Sequence, residues 1–331
     1  MGKIPRRYFL LGLSVGGMSL PSLYAASKQT AKATRSAKAL GSSVTITLFH
    51  ETEARAKTAL DAAFKELEQV ESLLSIYRSS SQVRILNRHR ILQGPQHRSL
   101  KTVLRHAQSV ARATNGAFDV TVQPLWELFA RAKKEGRTPT SEEVKAARAL
   151  VNWRDLIVAN DEVYFKRRGM ALTLNGIAQG FAADRVTAVL RKAGVKHALV
   201  DTGEINALGT KPEGVGWKVG IKHPRKEDSY LALAKLEGRC LATSGDYATT
   251  FTPNFKTHHI FDPRTGQSPK TLSSVSVVAR SGMEADALST AIFVLGPKHG
   301  LALVEKTPEA DALLVTKDGR TLRSRNFPFA S

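Results

Sequence analysis

Apolar and polar positions along the chain follow two periods, and the changes between them predict where helices and strands lie. Residues 43–50, SVTITLFH, alternate between apolar and polar side chains as a half-buried strand does. Residues 52–75 repeat apolar side chains at the spacing of one helical face. By the same criteria, further helices are predicted over 98–114, 141–150, 177–194, 283–296 and 298–306. Further strands are predicted over 155–165, as a hairpin that turns at 160–161, and over 171–174, 197–201, 216–222, 229–236, 239–242, 257–261, 273–279, 312–316 and 321–325.

The order of these elements predicts the fold class. Helices alternate with strands, but several strands follow one another through connections too short to hold a helix. We therefore expect an α+β fold with mixed sheets and flanking helices. The sequence of 40–331 contains no linker-like stretch, so this range is predicted to form a single domain.

The helix predicted over 283–296 has apolar residues on nearly all sides, which predicts that it is buried. Asp286 and Thr290 lie one above the other in it, four residues apart, and too deep for Asp286 to cap the helix. A buried carboxylate needs a partner. The helix alone leaves two alternatives: an ion pair with Arg or Lys, or a hard metal ion held by oxygen ligands.

The first 26 residues have the layout of an export signal. Basic residues come first, then a modestly apolar stretch to about Tyr24, then small residues. The pair Arg6-Arg7 followed by Tyr-Phe-Leu has the form of a twin-arginine signal, so we expect export to the periplasm; an ordinary secretory signal is the alternative. The apolar stretch is too short and too polar for a good membrane span, so the processed protein is not expected to span a membrane. Residues 27–39 are small, basic and polar, and are predicted to be a flexible leader.

Composition and charge narrow the set of partners. The chain has 331 residues and a formal net charge of +20, and a mature chain beginning near residue 27 keeps about +17 by the same counting of ionised side chains. Such a balance favours anionic partners, such as a phosphorylated small molecule or an acidic protein. The sequence lacks zinc-finger spacing, RNA-binding aromatic signatures and base-reading helices, so nucleic acid is not an expected partner. The single cysteine, Cys240, cannot form an internal disulfide and is predicted to be a buried, inert thiol.

Three short segments have compositions that suit ligand binding, although each is a weak signal alone. Residues 173–186, TLNGIAQGFAADRV, place glycines where a strand turns into a helix, and amides at a helix start can approach a phosphate closely. A tight turn with packing glycines is the plainer interpretation. Residues 115–126 set an aromatic side chain beside an Asp, and residues 257–269 set His, Asp and Arg around a Pro-Gly turn. Each of these is also compatible with ordinary loop structure.

Five stretches carry a joint pattern that is far more specific than any one of them. They are LLSIYRSSSQVRILN (73–87), GAFDVTVQPL (116–125), LNGIAQGFAAD (174–184), ATSGDY with HIFDPRTG (242–247 and 259–266), and MEADALSTAIFVLGP (283–297). In this order and spacing, they resemble the ApbE family, the FAD:protein FMN transferases, over most of 40–306. The TLNGIAQG version of the third stretch, with the twin-arginine signal, most resembles the NosX branch, which is associated with nitrous oxide reduction.

The resemblance implies an activity and a set of site residues. Members of the family bind FAD with a divalent cation, usually magnesium, and move FMN onto a Thr or Ser hydroxyl of a target protein, leaving AMP. The implied metal ligands are the Gly176 carbonyl and the Asp286 and Thr290 side chains, with Ser289 beside them. The implied FAD contacts are Leu40, Tyr77, Ala117, Phe118, Asp119, Thr173, Gln179 and Ile260. Tyr77 and Phe118 suit stacking on a ring system, and ordinary core packing is the alternative for both.

Two expectations concern catalysis and two positions depart from the family's pattern. His259 is the titratable group best suited to take the proton of the attacking hydroxyl; a turn histidine that only hydrogen-bonds a neighbour is the alternative. Asp286 is the other expected catalytic residue. Thr173 stands where the family commonly has Asp, which removes a charge near the flavin. The Thr-Gly-Glu segment at 202–204 has one glycine where the family usually has a pair.

The leading hypothesis from the sequence is a magnesium-dependent, periplasmic FAD:protein FMN transferase. Its expected partner is a flavin-accepting domain of a membrane-bound electron-transfer protein, with the regulatory or electron-donor protein of nitrous oxide reductase as a candidate. Hydrolysis of FAD to FMN and AMP at the same site is one alternative. A second alternative is a non-catalytic FAD-binding assembly factor for a respiratory complex, which is motivated by the departures from the family's pattern at Thr173 and at 202–204.

Overall fold

The computed structural model describes residues 30–94 and 98–330, so the expected signal peptide at 1–26 lies outside the described residues. The helices of the described part are α1 (Glu53–Leu74), α2 (Gln82–His89), α3 (Arg98–Ala113), α4 (Gln123–Lys134), α5 (Ser141–Arg148), α6 (Ala178–Lys192) and α7 (Gly282–Glu305). Its strands are β1 (Ala31–Ala39), β2 (Ser42–His50), β3 (Ile91–Gln93), β4 (Leu156–Val158), β5 (Glu162–Phe165), β6 (His197–Asp201), β7 (Ile205–Leu208), β8 (Trp217–Lys222), β9 (Tyr230–Leu236), β10 (Cys240–Gly245), β11 (Leu272–Ala279), β12 (Asp311–Thr316) and β13 (Thr321–Arg323). The α+β fold class is confirmed.

One large sheet organises the fold. Its strands lie in the order β1-β2-β6-β7-β10-β11-β12-β13, and two small sheets, β3-β5-β4 and β8-β9, accompany it. Every strand pair within the described residues is antiparallel, so the expectation of mixed sheets is corrected. Five of the ten pairs, β1-β2, β4-β5, β6-β7, β8-β9 and β12-β13, are joined by short connections, which permit antiparallel pairing alone.

Three helices cover one face of the large sheet. α6 packs between α1 and α7, and α7 packs on β10, β11 and β12. The apolar positions that predicted α1 are its buried ones, including Ala59, Ala63, Leu67, Val70 and Leu74. The β8-β9 hairpin covers the other face through Trp217, Val219, Ile221, Ala234 and Leu236, which pack with residues of β10, β11 and β12. With both faces covered, every residue of β11 and β12 is buried.

α7 is the buried apolar helix that the sequence predicts, followed directly by the second predicted helix. Among the described helices it alone is long and apolar enough to cross a membrane by length and composition, and here it lies between α6 and the sheet. The helical backbone is interrupted at Gly296, whose φ of 77° and ψ of 178° are not helical, so the Gly-Pro pair ends the first half where the sequence predicts. The segments predicted over 283–296 and 298–306 are therefore the two halves of one kinked helix.

Three predicted segments are corrected. Residues 31–39 form β1 rather than a flexible leader, because they pair over their whole length with β2, which satisfies their backbone groups. Residues 171–174 join no sheet: the Asn87 side chain donates to the Leu172 carbonyl and accepts from the Leu172 N–H, at 2.8 Å each, in place of a neighbouring strand. Residues 257–261 belong to a turn-rich loop that an isolated bridge ties to Thr250.

Candidate active site

The N-terminal ends of α6 and α7 cross at two glycines. A Cβ at Gly180 would collide with the carbonyl oxygen of Gly282, and a Cβ at Gly282 would lie 2.5 Å from the carbonyl oxygen of Gly180. Glycine is therefore needed at both positions for the two backbones to approach this closely. Each glycine is followed four residues later by an aspartate, in the matching segments GFAAD and GMEAD.

Each of these aspartates binds the backbone of the opposite helix. Asp184 of α6 accepts the N–H groups of Gly282 and Met283 at 2.7 and 2.9 Å. Asp286 of α7 accepts the N–H of Gly180 at 3.0 Å. These donors belong to the first turn of their helices, where N–H groups have no partner within the helix. The exchange fixes the Asp286 carboxylate relative to the turn that precedes α6.

Three oxygen-bearing residues meet beside this crossing. The Thr290 hydroxyl lies 3.0 Å from that of Ser244, which lies 2.8 Å from that of Ser289. Gly176 packs against Thr290, because a Cβ at Gly176 would lie 2.9 Å from Thr290 Oγ1. Gly176, Asp286 and Thr290 line the same cavity, whereas Ser289 lies behind them and donates to the Asp286 carbonyl at 2.9 Å. The structure thus brings together three of the four implied metal residues.

The cavity they line has a volume of about 390 Å³, within the range of small-molecule sites. Every implied FAD contact lines it: Leu40, Tyr77, Ala117, Phe118, Asp119, Thr173, Gln179 and Ile260. His259 lines it as well. Within the described residues, the lining contains no Lys or Arg, although the chain carries a net charge of +20. The ionisable acids that face the cavity are Asp119, Glu204 and Asp286.

Two of these acids are buried without a basic partner. Asp286 is 3% exposed, and burial raises its pKa to about 7, while the hydrogen bond from Gly180 N–H acts in the opposite direction. Burial, and then the charge of Asp286, raise the pKa of Glu204, which accepts the Thr243 N–H at 2.9 Å. Among the described residues, neither carboxylate forms an ion pair with Lys or Arg. The ion-pair alternative for Asp286 therefore does not hold.

The donor set fits a hard cation that the protein holds only in part. The described residues contain no group of three His, Cys, Asp or Glu side chains that could hold a metal ion by themselves. Asp286, Thr290 and the Gly176 carbonyl offer one carboxylate, one hydroxyl and one carbonyl oxygen. Mg²⁺ is commonly bound by one or two carboxylates together with water and substrate phosphates, which suits this set.

The Asp119 carboxylate accepts hydrogen bonds that hold one wall of the cavity together. Its carboxylate accepts the Thr121 N–H at 2.8 Å, the Thr121 hydroxyl at 2.7 Å and the Trp153 N–H at 2.9 Å. Burial raises the pKa of Asp119, and these hydrogen bonds oppose that rise. The carboxylate is thus engaged by the protein, and it fixes the loop that presents Ala117 and Phe118 to the cavity.

His259 has the hydrogen bonding that a proton acceptor requires. Its Nδ1 lies 3.1 Å from the Thr249 carbonyl oxygen, which can only accept, so Nδ1 carries the hydrogen in the neutral ring. Nε2 is then the free basic nitrogen. Burial lowers the pKa of His259, so the neutral form dominates at neutral pH. The neighbouring His258 is fully buried, and its Nε2 lies 3.2 Å from the Pro269 carbonyl oxygen.

Tyr77 and Phe118 differ in exposure. Tyr77 is 59% exposed, its ring lies against Gly41, and its hydroxyl accepts a hydrogen bond from Asn175 Nδ2 at 3.0 Å. An exposed ring at the rim of a cavity is available to stack on a ligand, so core packing does not account for Tyr77. Phe118 belongs to the main hydrophobic core while also lining the cavity. Both sequence interpretations therefore apply to Phe118.

The Thr-Gly-Glu segment at 202–204 keeps the one glycine that its position requires. Gly203 has a φ of +99°, and a Cβ there would lie 2.6 Å from Gln179 Nε2. The Thr202 hydroxyl donates to the Gln179 carbonyl at 2.8 Å, which ties the segment to α6. Glu204 then faces the cavity. The missing second glycine does not disrupt this loop, because position 202 makes a side-chain contact that glycine lacks.

Sequence reasoning did not single out two residues of the site. Glu204 was noted only as part of a departure from the family's pattern, and its burial beside Asp286 is a tertiary feature. Ser244 lies in the ATSGDY stretch, but nothing in the sequence indicates that its hydroxyl contacts Thr290 on α7. Both lie on neighbouring strand segments that the topology of the large sheet brings under α7.

Comparison with known proteins identifies the family. The family model described as the ApbE family matches residues 40–314. The chain belongs to the ApbE family. The FAD:protein FMN transferase of Klebsiella pneumoniae (strain 342) is 29% identical to it, covering 86% of this chain and 89% of the relative. That of Vibrio cholerae serotype O1 is 32% identical, covering 84% and 86%.

The fold of this ApbE family member agrees with a solved structure. The structure of the flavin transferase ApbE from Vibrio cholerae superposes with a TM-score of 0.77 at 27% identity, covering 90% of this chain and 99% of that one. The resemblance inferred from the five stretches is thereby confirmed at the level of the family. The matched range includes every site residue discussed above.

Proposed function

We propose that this ApbE family member transfers FMN from FAD to a Thr or Ser hydroxyl of an acceptor protein, with release of AMP and with dependence on magnesium. That the chain is a flavin transferase follows from its curated relatives and its structural neighbours. One observation carries the finer proposal: Asp286, Thr290 and Gly176 line one cavity that has no Lys or Arg among its described lining residues.

The charges in the cavity support the dependence on a cation. The pyrophosphate of FAD is anionic, and it would enter a cavity where Asp286 and Glu204 have no basic partner among the described residues. Asp286, Thr290 and the Gly176 carbonyl would hold the cation. A bound divalent cation would neutralise charge on the phosphoryl oxygens and orient the pyrophosphate. Without a counter-charge, anions in a buried site repel one another strongly.

His259 supplies the proton acceptor in the proposed reaction. The acceptor's hydroxyl oxygen forms a bond to the FMN-side phosphorus, and the bond from that phosphorus to the bridging oxygen of AMP breaks. The hydroxyl proton passes to Nε2 of His259, and AMP departs with the bridging oxygen. The hydrogen bond between Nδ1 and Thr249 holds the ring in the tautomer that this transfer needs. Tyr77, exposed at the rim, is suited to stack on the flavin ring.

The location and partner of the enzyme are also proposals. The layout of 1–26 supports export through a twin-arginine pathway to the periplasm. The TLNGIAQG segment supports a place in the NosX branch, with an acceptor domain on a membrane-bound electron-transfer protein of nitrous oxide reduction. Export of the folded protein would allow FAD to be bound before translocation.

A reaction with and without acceptor tests the proposed chemistry. Mature protein is incubated with FAD, with MgCl₂ or EDTA, and with or without a recombinant flavin-accepting domain, and AMP and covalent flavin are quantified. We expect equal amounts of AMP and covalent flavin, formed only with acceptor and magnesium. AMP formed freely without acceptor would indicate a hydrolase. Bound FAD that stays whole under all conditions would indicate an assembly factor.

A further inference from the structure

A second cavity of the molecule has four arginines among its nine lining residues. Its volume is about 470 Å³, and its walls are Arg84, Asn87, Arg88, Arg90, Glu127, Arg168, Gly169, Met170 and Ala171. We call Arg84, Arg88, Arg90 and Arg168 the arginine pocket. Arg84 and Arg88 lie one turn apart on α2, Arg90 caps the end of α2, and Arg168 follows β5. Three separate positions in the fold thus direct guanidinium groups to one place.

These four arginines form no ion pair within the described residues, and they differ from the other unpaired arginines there by lining one cavity together. Eleven arginines in the described residues form ion pairs with Asp or Glu. Within the same residues, no carboxylate pairs with a member of the arginine pocket. The one acid in its wall, Glu127, accepts a hydrogen bond from Gln123 Nε2 at 3.0 Å. The convergence of four uncompensated charges predicts an anionic ligand, since guanidinium forks match carboxylate and phosphate groups.

Two segments of the chain contribute residues to both the arginine pocket and the active-site cavity. Gln123 lines the active-site cavity and Glu127 lines the pocket, and they are one turn apart on α4, which is about 6 Å along the helix. Ala171 lines the pocket and Thr173 lines the active-site cavity, two residues apart in an extended segment, which is about 7 Å. The paired hydrogen bonds between Asn87 and Leu172 join α2 to that segment. A molecule that reaches into the active site can therefore contact both cavities at once.

We propose that the arginine pocket docks an acidic segment of the acceptor protein; this rests on the proposed transfer to a protein hydroxyl. FAD is accounted for by the active-site cavity, and the acceptor is the substrate that must arrive from outside. An acidic segment would engage exposed guanidiniums such as Arg88 and Arg168 while its hydroxyl enters the neighbouring cavity. Charge complementarity of this kind speeds encounter and fixes orientation. Binding of an acidic segment would also account for part of the positive charge of this +20 chain.

The test compares two double variants that lose the same charge. R88A/R168A removes two members of the pocket, and R191A/R325A removes two exposed arginines that line neither cavity. For each mature protein, kcat and KM for a flavin-accepting domain are measured, together with the Kd for FAD. A fluorescein-labelled hexaglutamate peptide is the binding probe in fluorescence anisotropy. Thermal unfolding checks that all variants are folded.

We expect R88A/R168A to raise KM for the acceptor and Kd for hexaglutamate about fivefold to tenfold, the effect of two exposed charge contacts. R191A/R325A should change both less than twofold, and kcat and the Kd for FAD should stay unchanged in both variants. The difference in KM and in the Kd for hexaglutamate between the two double variants should shrink as NaCl is raised from about 50 to about 500 mM. Equal effects of the two double variants would overturn the proposal. The proposal would also be overturned if free pyrophosphate competed with the acceptor domain while hexaglutamate did not bind, which would indicate a small-anion site.

The proposed function and the docking surface can fail separately. If the wild-type protein transfers no flavin, the proposed function fails, and the hexaglutamate comparison still decides whether the pocket binds acidic peptides. If the wild type transfers flavin and R88A/R168A matches it in KM and in hexaglutamate binding, the docking proposal fails alone. The single variants R88A and R168A, each losing about half of the effect, would support contact at both positions.

Discussion

Replacing Asp184 by asparagine tests whether the crossing of α6 and α7 positions the Asp286 carboxylate that we propose as a cation ligand. Asp184 accepts four hydrogen bonds: from Gly282 N–H at 2.7 Å, from Met283 N–H at 2.9 Å, from Asn206 Nδ2 at 3.1 Å and from Cys240 Sγ at 3.8 Å. The asparagine side chain is similar in size but keeps one acceptor oxygen and no charge. One first-turn N–H of α7 then faces an NH₂ group, and the remaining bonds lose their charge assistance.

The magnitude follows from these contacts. Hydrogen bonds to a charged group contribute about 1.5–3 kcal/mol, against about 0.5–1.5 kcal/mol for neutral pairs. Burial raises the pKa of Asp184, so removing its charge recovers part of the loss. We expect a net destabilisation of about 1–3 kcal/mol. Because Asp286 lies one turn further along α7, we also expect half-saturation by Mg²⁺ to rise about tenfold, as is typical when a residue behind a metal ligand is changed.

The assay separates these two effects with a matched control. Flavin transfer is measured against Mg²⁺ concentration, and urea unfolding is measured on the same proteins. Asp311→Asn removes a comparable buried carboxylate, which accepts from Arg239 Nη2 and Ser324 Oγ at 2.9 Å each on β12, away from the active-site cavity. It should lose stability without a change in Mg²⁺ dependence. If Asp184→Asn shifts Mg²⁺ half-saturation no more than Asp311→Asn, the positioning role is refuted.

Three further outcomes are expected. Gly180→Ala should destabilise the protein by about 1–3 kcal/mol and abolish transfer, because the added methyl group collides with Gly282; unchanged unfolding and activity would contradict the crossing. His259→Gln should lower kcat by about 10²–10⁴-fold with the Kd for FAD unchanged, as measured in single-turnover transfer and FAD titration; unaltered kcat would exclude the proton acceptor. Burial lowers the pKa of His258 from about 6.5 to about 4, so its contribution to stability is complete above pH 6.5 and is lost as pH falls from 6.5 to 4, by about 3 kcal/mol. Urea unfolding across that range should show a loss of stability that is about 3 kcal/mol larger in the wild type than in His258→Gln; parallel pH profiles would contradict it.

The elements predictable from the sequence are those with long, regular periodicity. α1 and α7 bury the residues that their apolar spacing indicated, since a helical face of that width has to be covered. β1 was mistaken for a leader because its small, polar and basic residues carry little apolar signal, and its order comes from pairing with β2. α4 was not predicted as a helix, although Leu125, Leu128 and Phe129 are spaced as one face and Pro124 lies in its first turn, where proline is common.

The site was predictable in part for a related reason. Asp286 and Thr290 belong to one helix, so their alignment is a local property that the sequence expresses. Their relation to Ser244, Glu204 and the Gly180–Gly282 crossing depends on which helices and strands become neighbours, and that is set by packing of the whole sheet. The absence of Lys and Arg from the described cavity lining is equally a tertiary property. The net charge of +20, taken alone, would predict basic residues in the lining of an anion-binding cavity.

The most direct test of the central claim is flavin transfer by the wild type and by Asp286→Ala. Both proteins are incubated with FAD, MgCl₂ and a flavin-accepting domain, and covalent flavin fluorescence on the acceptor is read after denaturation. We expect strong labelling by the wild type and none above background by Asp286→Ala, while both remain folded by circular dichroism. Equal labelling by the two proteins, or no labelling of the acceptor by the wild type, would contradict the account.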